Sequence, residues 1–169
     1  MGWSAFLDRV AWAPAAGPRP RRGLQHVRKE TVVPVPLEET FEFFTNAANL
    51  ERLTPPWLSF RIRTPMPVVM REGMLIDYRI VLRGWPIPWR TRIDVWEPGV
   101  RFVDRQLIGP YRWWRHEHRF VAIPGGTRVL DDVEFVPRVR WVSGRFVQRD
   151  VERIFAYRQE RLPHLLPRR

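Results

Sequence analysis

Six strand-length segments in a row, each cut off by proline or glycine and followed by one long amphipathic stretch, restrict this chain to very few folds. The segments span 57–64, 73–83, 88–97, 101–108, 113–123 and 127–136. Between them stand Pro65/Pro67, Gly84-Trp85-Pro86, Pro98-Gly99, Gly109-Pro110 and Pro124-Gly125-Gly126. Connections this short suit antiparallel neighbours, because parallel strands need a long crossover. The amphipathic stretch, 145–162, carries Val147, Val151, Ile154, Arg158 and Leu162 at helical spacing, with Gly144 before it and Pro163 near its end. Upstream, 24–33 reads as a first strand ended by Pro34. Residues 37–53 read as one or two short helices with a break near Asn46 and Asn49. Thr54-Pro55-Pro56 stops them, since a residue before proline is pushed out of the α region. The order strand, helix pair, six strands, long helix predicts an α+β fold with an antiparallel sheet of about seven strands.

Period-two alternation sorts the strand residues into two faces. Met74, Ile76, Tyr78, Ile80 and Leu82 share one side of their strand against Asp77 and Arg79. Trp89, Thr91, Ile93 and Val95 oppose Arg90, Arg92 and Asp94. Trp114, His116, His118 and Phe120 oppose Trp113, Arg115, Glu117 and Arg119. Thr127, Val129, Asp131, Val133 and Phe135 oppose Arg128, Asp132 and Glu134. One face is therefore a ladder of mixed charges, as on a solvated sheet. The other is apolar and aromatic, with His116, His118 and Asp131 as polar intruders; Asp104 and Gln106 join them if Phe102 points inward. Polar groups on an apolar face must find hydrogen bonds from one another, from water or from a ligand.

At 169 residues, 44% of them hydrophobic, the chain is one domain with enough apolar surface for a core. It has no cysteine, which rules out disulfides, thiolate metal sites and a thiol nucleophile, and fits a cytoplasmic location. There is no run of eighteen apolar residues to span a membrane and no h-region of a signal peptide. The net charge is +11, and Lys29 is the only lysine. The basic residues are dispersed along strands and the last helix, the pattern of a solvated surface. Residues 13–23 are rich in Pro, Gly and Arg and read as a linker, which makes 1–22 a tail and 23–169 the folded domain. Trp3, Phe6, Leu7 and Val10 form a short amphipathic stripe, so 3–12 is the one place for a peripheral membrane contact.

The local motifs carry a resemblance. Asn49-Leu50-Glu51-Arg52-Leu53-Thr54-Pro55-Pro56-Trp57, Gly73-Met74-Leu75-Ile76-Asp77-Tyr78, Trp89-Arg90-Thr91-Arg92-Ile93, Phe102-Val103-Asp104-Arg105-Gln106, Gly109-Pro110-Tyr111, Trp114-x-His116-x-His118-x-Phe120 and Ile154-Phe155-Ala156-Tyr157-Arg158 resemble the helix-grip superfamily. This is the START-like or SRPBCC group, which includes polyketide cyclases. The match spans about 24–166, and is nearest a bacterial ligand-binding subgroup sometimes fused to an epimerase-like domain. The resemblance implies a curved sheet gripping the last helix around a cavity for a lipid or polyketide-like molecule. It leaves carrier, sensor and enzyme open.

The cavity is expected to be lined by Tyr78, Ile80, Trp89, Ile93, Phe102, Trp114, Phe135, Ile154 and Tyr157, with Asp104, Gln106, His116, His118 and Asp131 as its polar members. His116 and His118 lie two apart on a strand, so both rings project to one side. Three uses follow, in this order: anchoring the polar end of a ligand, general acid–base work by a His–Asp pair as in a cyclase or dehydratase, and a metal site completed by Asp131 or Asp104. No metal or cofactor is assigned. The absence of GxGxxG and GxxxxGK[ST] disfavours a nucleotide cofactor. Ser59 and Ser143 lack the GxSxG context of an esterase nucleophile. In Arg112-Trp113-Trp114-Arg115 the two indoles alternate faces, so they form no stacking platform for nucleic acid.

Overall fold

The computed structural model describes residues 19–20, 22–82, 84–138 and 144–166. The amphipathic stretch 3–12 and most of the linker 13–23 lie outside these residues. Seven strands form one antiparallel sheet: β1 (Gln25–Val33), β2 (Arg61–Ile62), β3 (Leu75–Leu82), β4 (Trp85–Glu97), β5 (Arg101–Ile108), β6 (Tyr111–Ile123) and β7 (Gly126–Pro137). Their order across the sheet is β1-β7-β6-β5-β4-β3-β2. Strands β2 to β7 thus run as a meander, and β1 closes the far edge against β7.

Helix α1 (Leu37–Thr45) leads into a tight turn at Ala47–Asn49 and a single turn of helix, α2 (Leu50–Leu53). The break falls where Asn46 turns extended and its side chain accepts a hydrogen bond from the Ala48 N–H, the local competition with helix that makes Asn a boundary residue. Helix α3 (Gly144–Leu165) lies against the concave face of the sheet. Val151, Phe155, Arg158 and Leu162 are buried along it, the i, i+4, i+7, i+11 stripe of a helix seated on a core.

Three boundaries depart from the sequence reading. Segment 57–64 keeps only Arg61–Ile62 as strand, because Pro56–Leu58 forms a tight helical turn and Ser59 takes positive φ. β4 starts at Trp85 rather than 88 and runs through Pro86 and Pro88. Both are tolerated because β5 pairs with β4 only from Arg90 onward, so their missing N–H groups cost no ladder bond on that side. α3 continues past Pro163 to Leu165.

The face assignment holds along most of the sheet. A register shift between Ile93 and Val95 turns Trp96 rather than Val95 inward, onto Phe41 and Phe102, and Trp113 is buried although it faces outward. Outside, Arg90 grips Asp77 with two hydrogen bonds of 2.6 and 2.8 Å, and Asp94 takes Arg92 and Arg105. Glu117 takes Arg115 and Arg119, Asp132 takes Arg28 and His26, and Arg19 ion-pairs with Glu134. Much of the positive charge is thereby paired, partly across strands as in Arg90–Asp77 and Arg105–Asp94 and partly along one strand as in Arg92–Asp94 and Arg115–Glu117. Among the described residues no helix is long and apolar enough to cross a membrane.

Candidate functional site

The inner face of the sheet, α1, α2 and α3 line a partly open cavity of about 170 Å³. That is on the scale of the roughly 150 Å³ apolar cavities that take up benzene. Its apolar wall includes Tyr78 and Ile80 of β3, Trp89 and Ile93 of β4, Phe102, Trp114 and, from α3, Ile154. Tyr78 and Trp89 face each other across β3 and β4 and stack at 5.6 Å and 19°. Trp114 meets Trp89 edge-on at 5.3 Å. A second hollow, of about 360 Å³, lies by Arg63, Asp77 and Arg90. Asp77 and Arg90 are already committed to each other there, so the inner cavity is the better candidate for a site.

Register brings the polar intruders together. Asp104 sits opposite His116 across β5 and β6, and His118 sits opposite Asp131 across β6 and β7. Because inward residues of neighbouring strands lie side by side, all four converge. His116 Nε2 lies 2.9 Å from Asp131 Oδ1, and His118 Nε2 lies 3.2 Å from Asp104 Oδ2. Two further contacts complete the square: His118 Nδ1 to Asp131 Oδ1 at 3.1 Å and His116 Nδ1 to Asp104 Oδ2 at 3.5 Å. The Thr91 hydroxyl donates to Asp104 Oδ1 at 3.2 Å. Arg158 reaches in from α3, with Nη2 at 3.3 Å from His118 Nδ1 and Nε at 3.6 Å from Asp131 Oδ2. Phe102 stacks on the His118 ring at 4.2 Å, and Phe155 meets His116 edge-on at 5.0 Å.

Burial alone would raise both carboxyls, but their partners win. The hydrogen bond from His118 and the nearby His116 hold Asp104 below the usual carboxylate range. Arg158 and the hydrogen bonds from His116 and His118 hold Asp131 well below it. Burial, with His118 alongside, brings His116 down to about 4 against the pull of Asp131. Two carboxylates and one guanidinium leave one negative charge unmatched by fixed charge. The cluster therefore has room for one more positive charge.

Asp104, His116 and His118 line the cavity; Asp131 does not, and stands behind the two imidazoles. Three other residues expected at the wall sit elsewhere. Phe135 is fully buried behind Trp114 and Tyr111. Tyr157 packs against Trp57 at 5.5 Å; at about 100° per residue it turns well off the buried stripe of α3. Gln106 closes the β5–β6 turn, donating to the Tyr111 carbonyl at 2.7 Å and accepting from its N–H at 3.3 Å. Those backbone groups lie beyond the last β5–β6 pair and need a partner. Gly109 is the residue that fits beside that amide, since a Cβ there would collide with it. The sequence reading missed Thr91, Tyr111, Phe155 and, above all, Arg158. The signal was a lone arginine on the apolar stripe of a helix.

Two wall tyrosines are pushed upward, Tyr78 by burial and then by Asp104, and Tyr111 by burial and then by Asp150. Raised phenols contribute stability that is complete below the ordinary tyrosine value of about 10 and is lost as pH climbs above it. Alkaline titration should therefore show at most one tyrosinate before unfolding, followed by a cooperative rise as the fold opens. Three tyrosines ionising smoothly in the folded state would contradict this.

The comparisons follow this geometry. A START superfamily protein from Mycobacterium smegmatis superposes with a TM-score of 0.67 at 12% identity, over 83% of this chain and 96% of that one. The Zhui aromatase/cyclase from Streptomyces sp. R1128 gives 0.63 at 16%, over 85% and 91%. The chain has the helix-grip fold of the START-like superfamily. Within that fold, the nucleoside-diphosphate sugar epimerase from Corynebacterium glutamicum reaches 26% identity with a TM-score of 0.60. There 82% of this chain covers 28% of the other, so the likeness is to one part of a larger protein. A family model described as a domain of unknown function (DUF8410) matches residues 86–166, which hold β4 to α3 of the grip. No curated protein matches the sequence.

Proposed function

We propose that the protein binds a small, largely apolar molecule bearing an uncharged oxygen, held in the inner cavity with the oxygen toward the polar cluster. The observation that carries this is a mismatch in hydrogen bonding. Trp89 and Arg158 both line the cavity. Among the described residues the buried indole N–H of Trp89 has no hydrogen-bond partner, and Arg158 Nε makes no hydrogen bond beyond its 3.6 Å ion-pair contact with Asp131. A buried donor left unpaired costs about 1–3 kcal/mol, and a ligand oxygen would remove that cost. Since the cluster already carries excess negative charge, a ketone, phenol or alcohol suits it better than a carboxylate. The START-superfamily and aromatase/cyclase proteins that share the fold support a small-molecule site in general; the role read here is that of a carrier or sensor.

The alternative is an enzyme of the cyclase or dehydratase kind working through His116, His118 and Asp131. The imidazoles at the cavity wall favour it. A base brought down to about 4 is poorly matched to proton abstraction near neutral pH, which places binding first.

Mass spectrometry of an organic extract of the purified protein should recover one such compound. A naphthol should also bind saturably and quench tryptophan fluorescence, and more tightly than naphthalene. Trp89→Phe should erase about 0.5–1.5 kcal/mol of that preference, the worth of one neutral hydrogen bond. Equal affinity for naphthol and naphthalene in the unaltered protein would remove the polar anchor from the proposal; no saturable binding of either would remove the ligand.

A further inference from the structure

Three atoms able to ligate a metal meet at the wall of the cavity: Asp104 Oδ2, His116 Nδ1 and, once its proton moves, His118 Nε2. We infer that they form a binding site for a divalent transition metal of the zinc class, open to the cavity on its fourth side. The edges of the triangle carry the inference. Asp104 Oδ2 lies 3.2 Å from His118 Nε2 and 3.5 Å from His116 Nδ1, and Asp104, His116 and His118 each offer a ligand atom within 4.8 Å of the others'. With metal–nitrogen and metal–oxygen bonds of roughly 2.0–2.2 Å, a tetrahedral centre has ligand–ligand edges of roughly 3.4 Å. The side chains need little movement to receive the ion.

What lies behind the triangle is a second, independent observation. His116 Nε2 and His118 Nδ1, the nitrogens facing away from Asp104, both reach Asp131 Oδ1, at 2.9 and 3.1 Å. A carboxylate accepting the outer N–H of a ligating histidine fixes its tautomer and raises its basicity, and here one carboxylate serves both rings. For Nε2 to ligate, His118 must carry its proton on Nδ1, toward Asp131 Oδ1 at 3.1 Å, and Arg158 Nη2, which lies 3.3 Å from that nitrogen, must turn aside. The charges also close. The two carboxylates and Arg158 sum to −1, so a divalent ion takes the cluster to +1, which an anionic oxygen entering from the cavity would balance. The order of uses drawn from sequence placed metal last because a carboxylate at the right distance was unproven. Asp104 supplies it.

The inference stands apart from the ligand proposal, because the ion is titrated alone. Full-length protein stripped with a chelator should bind one equivalent of Co²⁺, with the visible absorption of a tetrahedral nitrogen–oxygen site, and Zn²⁺ should displace it and raise Tm. Asp104→Asn and His118→Gln should each lose that equivalent. Asp131→Asn should keep the stoichiometry and weaken binding about 10–100-fold. His26→Gln, which alters a surface histidine paired with Asp132, should change nothing. Because the Co²⁺ spectrum is read on the unaltered chain, a variant that fails to fold does not shelter the idea. No tetrahedral spectrum, or a spectrum that survives Asp104→Asn in folded protein, overturns it.

Discussion

Asp131→Ala should cost metal-free protein about 3–5 kcal/mol of stability, the scale for removing one partner of a buried ion pair. Asp131 is only 5% exposed and meets both imidazoles, with Arg158 Nε at 3.6 Å. Alanine removes the anion and leaves the guanidinium where it is, over the Phe44 ring at 5.0 Å and 8% exposed. The loss is thus mainly the penalty on an uncompensated buried cation rather than the worth of one hydrogen bond. The pair of substitutions separates the two. Asp131→Leu with Arg158→Met replaces both charges by apolar groups of similar bulk, a change that is often close to neutral. Urea midpoints of the two singles and the double should therefore show strong coupling. A loss under about 1 kcal/mol for Asp131→Ala, or additivity in the cycle, would mean that Arg158 finds water and the cluster is not sealed.

The sheet was legible because two periodicities and a set of turn residues agree. Alternation along 73–83, 88–97 and 127–136 separates charge from hydrocarbon, and the turn signals leave no room for crossovers. The convergence of His116, His118, Asp104 and Asp131 was legible for the same reason: inward residues on adjacent meander strands have to meet. Three things were not. Trp85 and Pro86 read as turn, since a sequence does not say which strand edge lacks a neighbour. Gln106 shares a face with Asp104, yet the unpaired Tyr111 backbone claims its side chain. Arg158 falls on the helical stripe and looks like a solvated arginine until α3 is docked. Only the docking supplies its partner, because strand register and helix phase are separate pieces of information. Binary patterning locates a buried charge on each element but does not match the two.

Trp89→Ala should destabilise the protein by about 3–5 kcal/mol, while Trp89→Phe should stay within about 1 kcal/mol. The indole is 7% exposed and packs on three aromatic rings: Tyr78 at 5.6 Å, Trp114 at 5.3 Å and Tyr111 at 5.7 Å. Alanine forfeits those contacts and opens new space beside an existing cavity, and a rigid aromatic wall collapses poorly into it. Phenylalanine keeps most of the packing surface. It also deletes the indole N–H, which has no partner among the described residues, so the lost area is offset by relief of an unpaired donor. The two substitutions therefore divide the residue's roles between stability and recognition. Chemical denaturation reads the first, and the naphthol preference reads the second. If Trp89→Phe destabilises as much as alanine does, the indole N–H has a partner after all, such as an ordered water, and it is not waiting for a ligand. If alanine costs less than about 1.5 kcal/mol, the aromatic wall is loose enough to repack, and the cavity is not a preformed site.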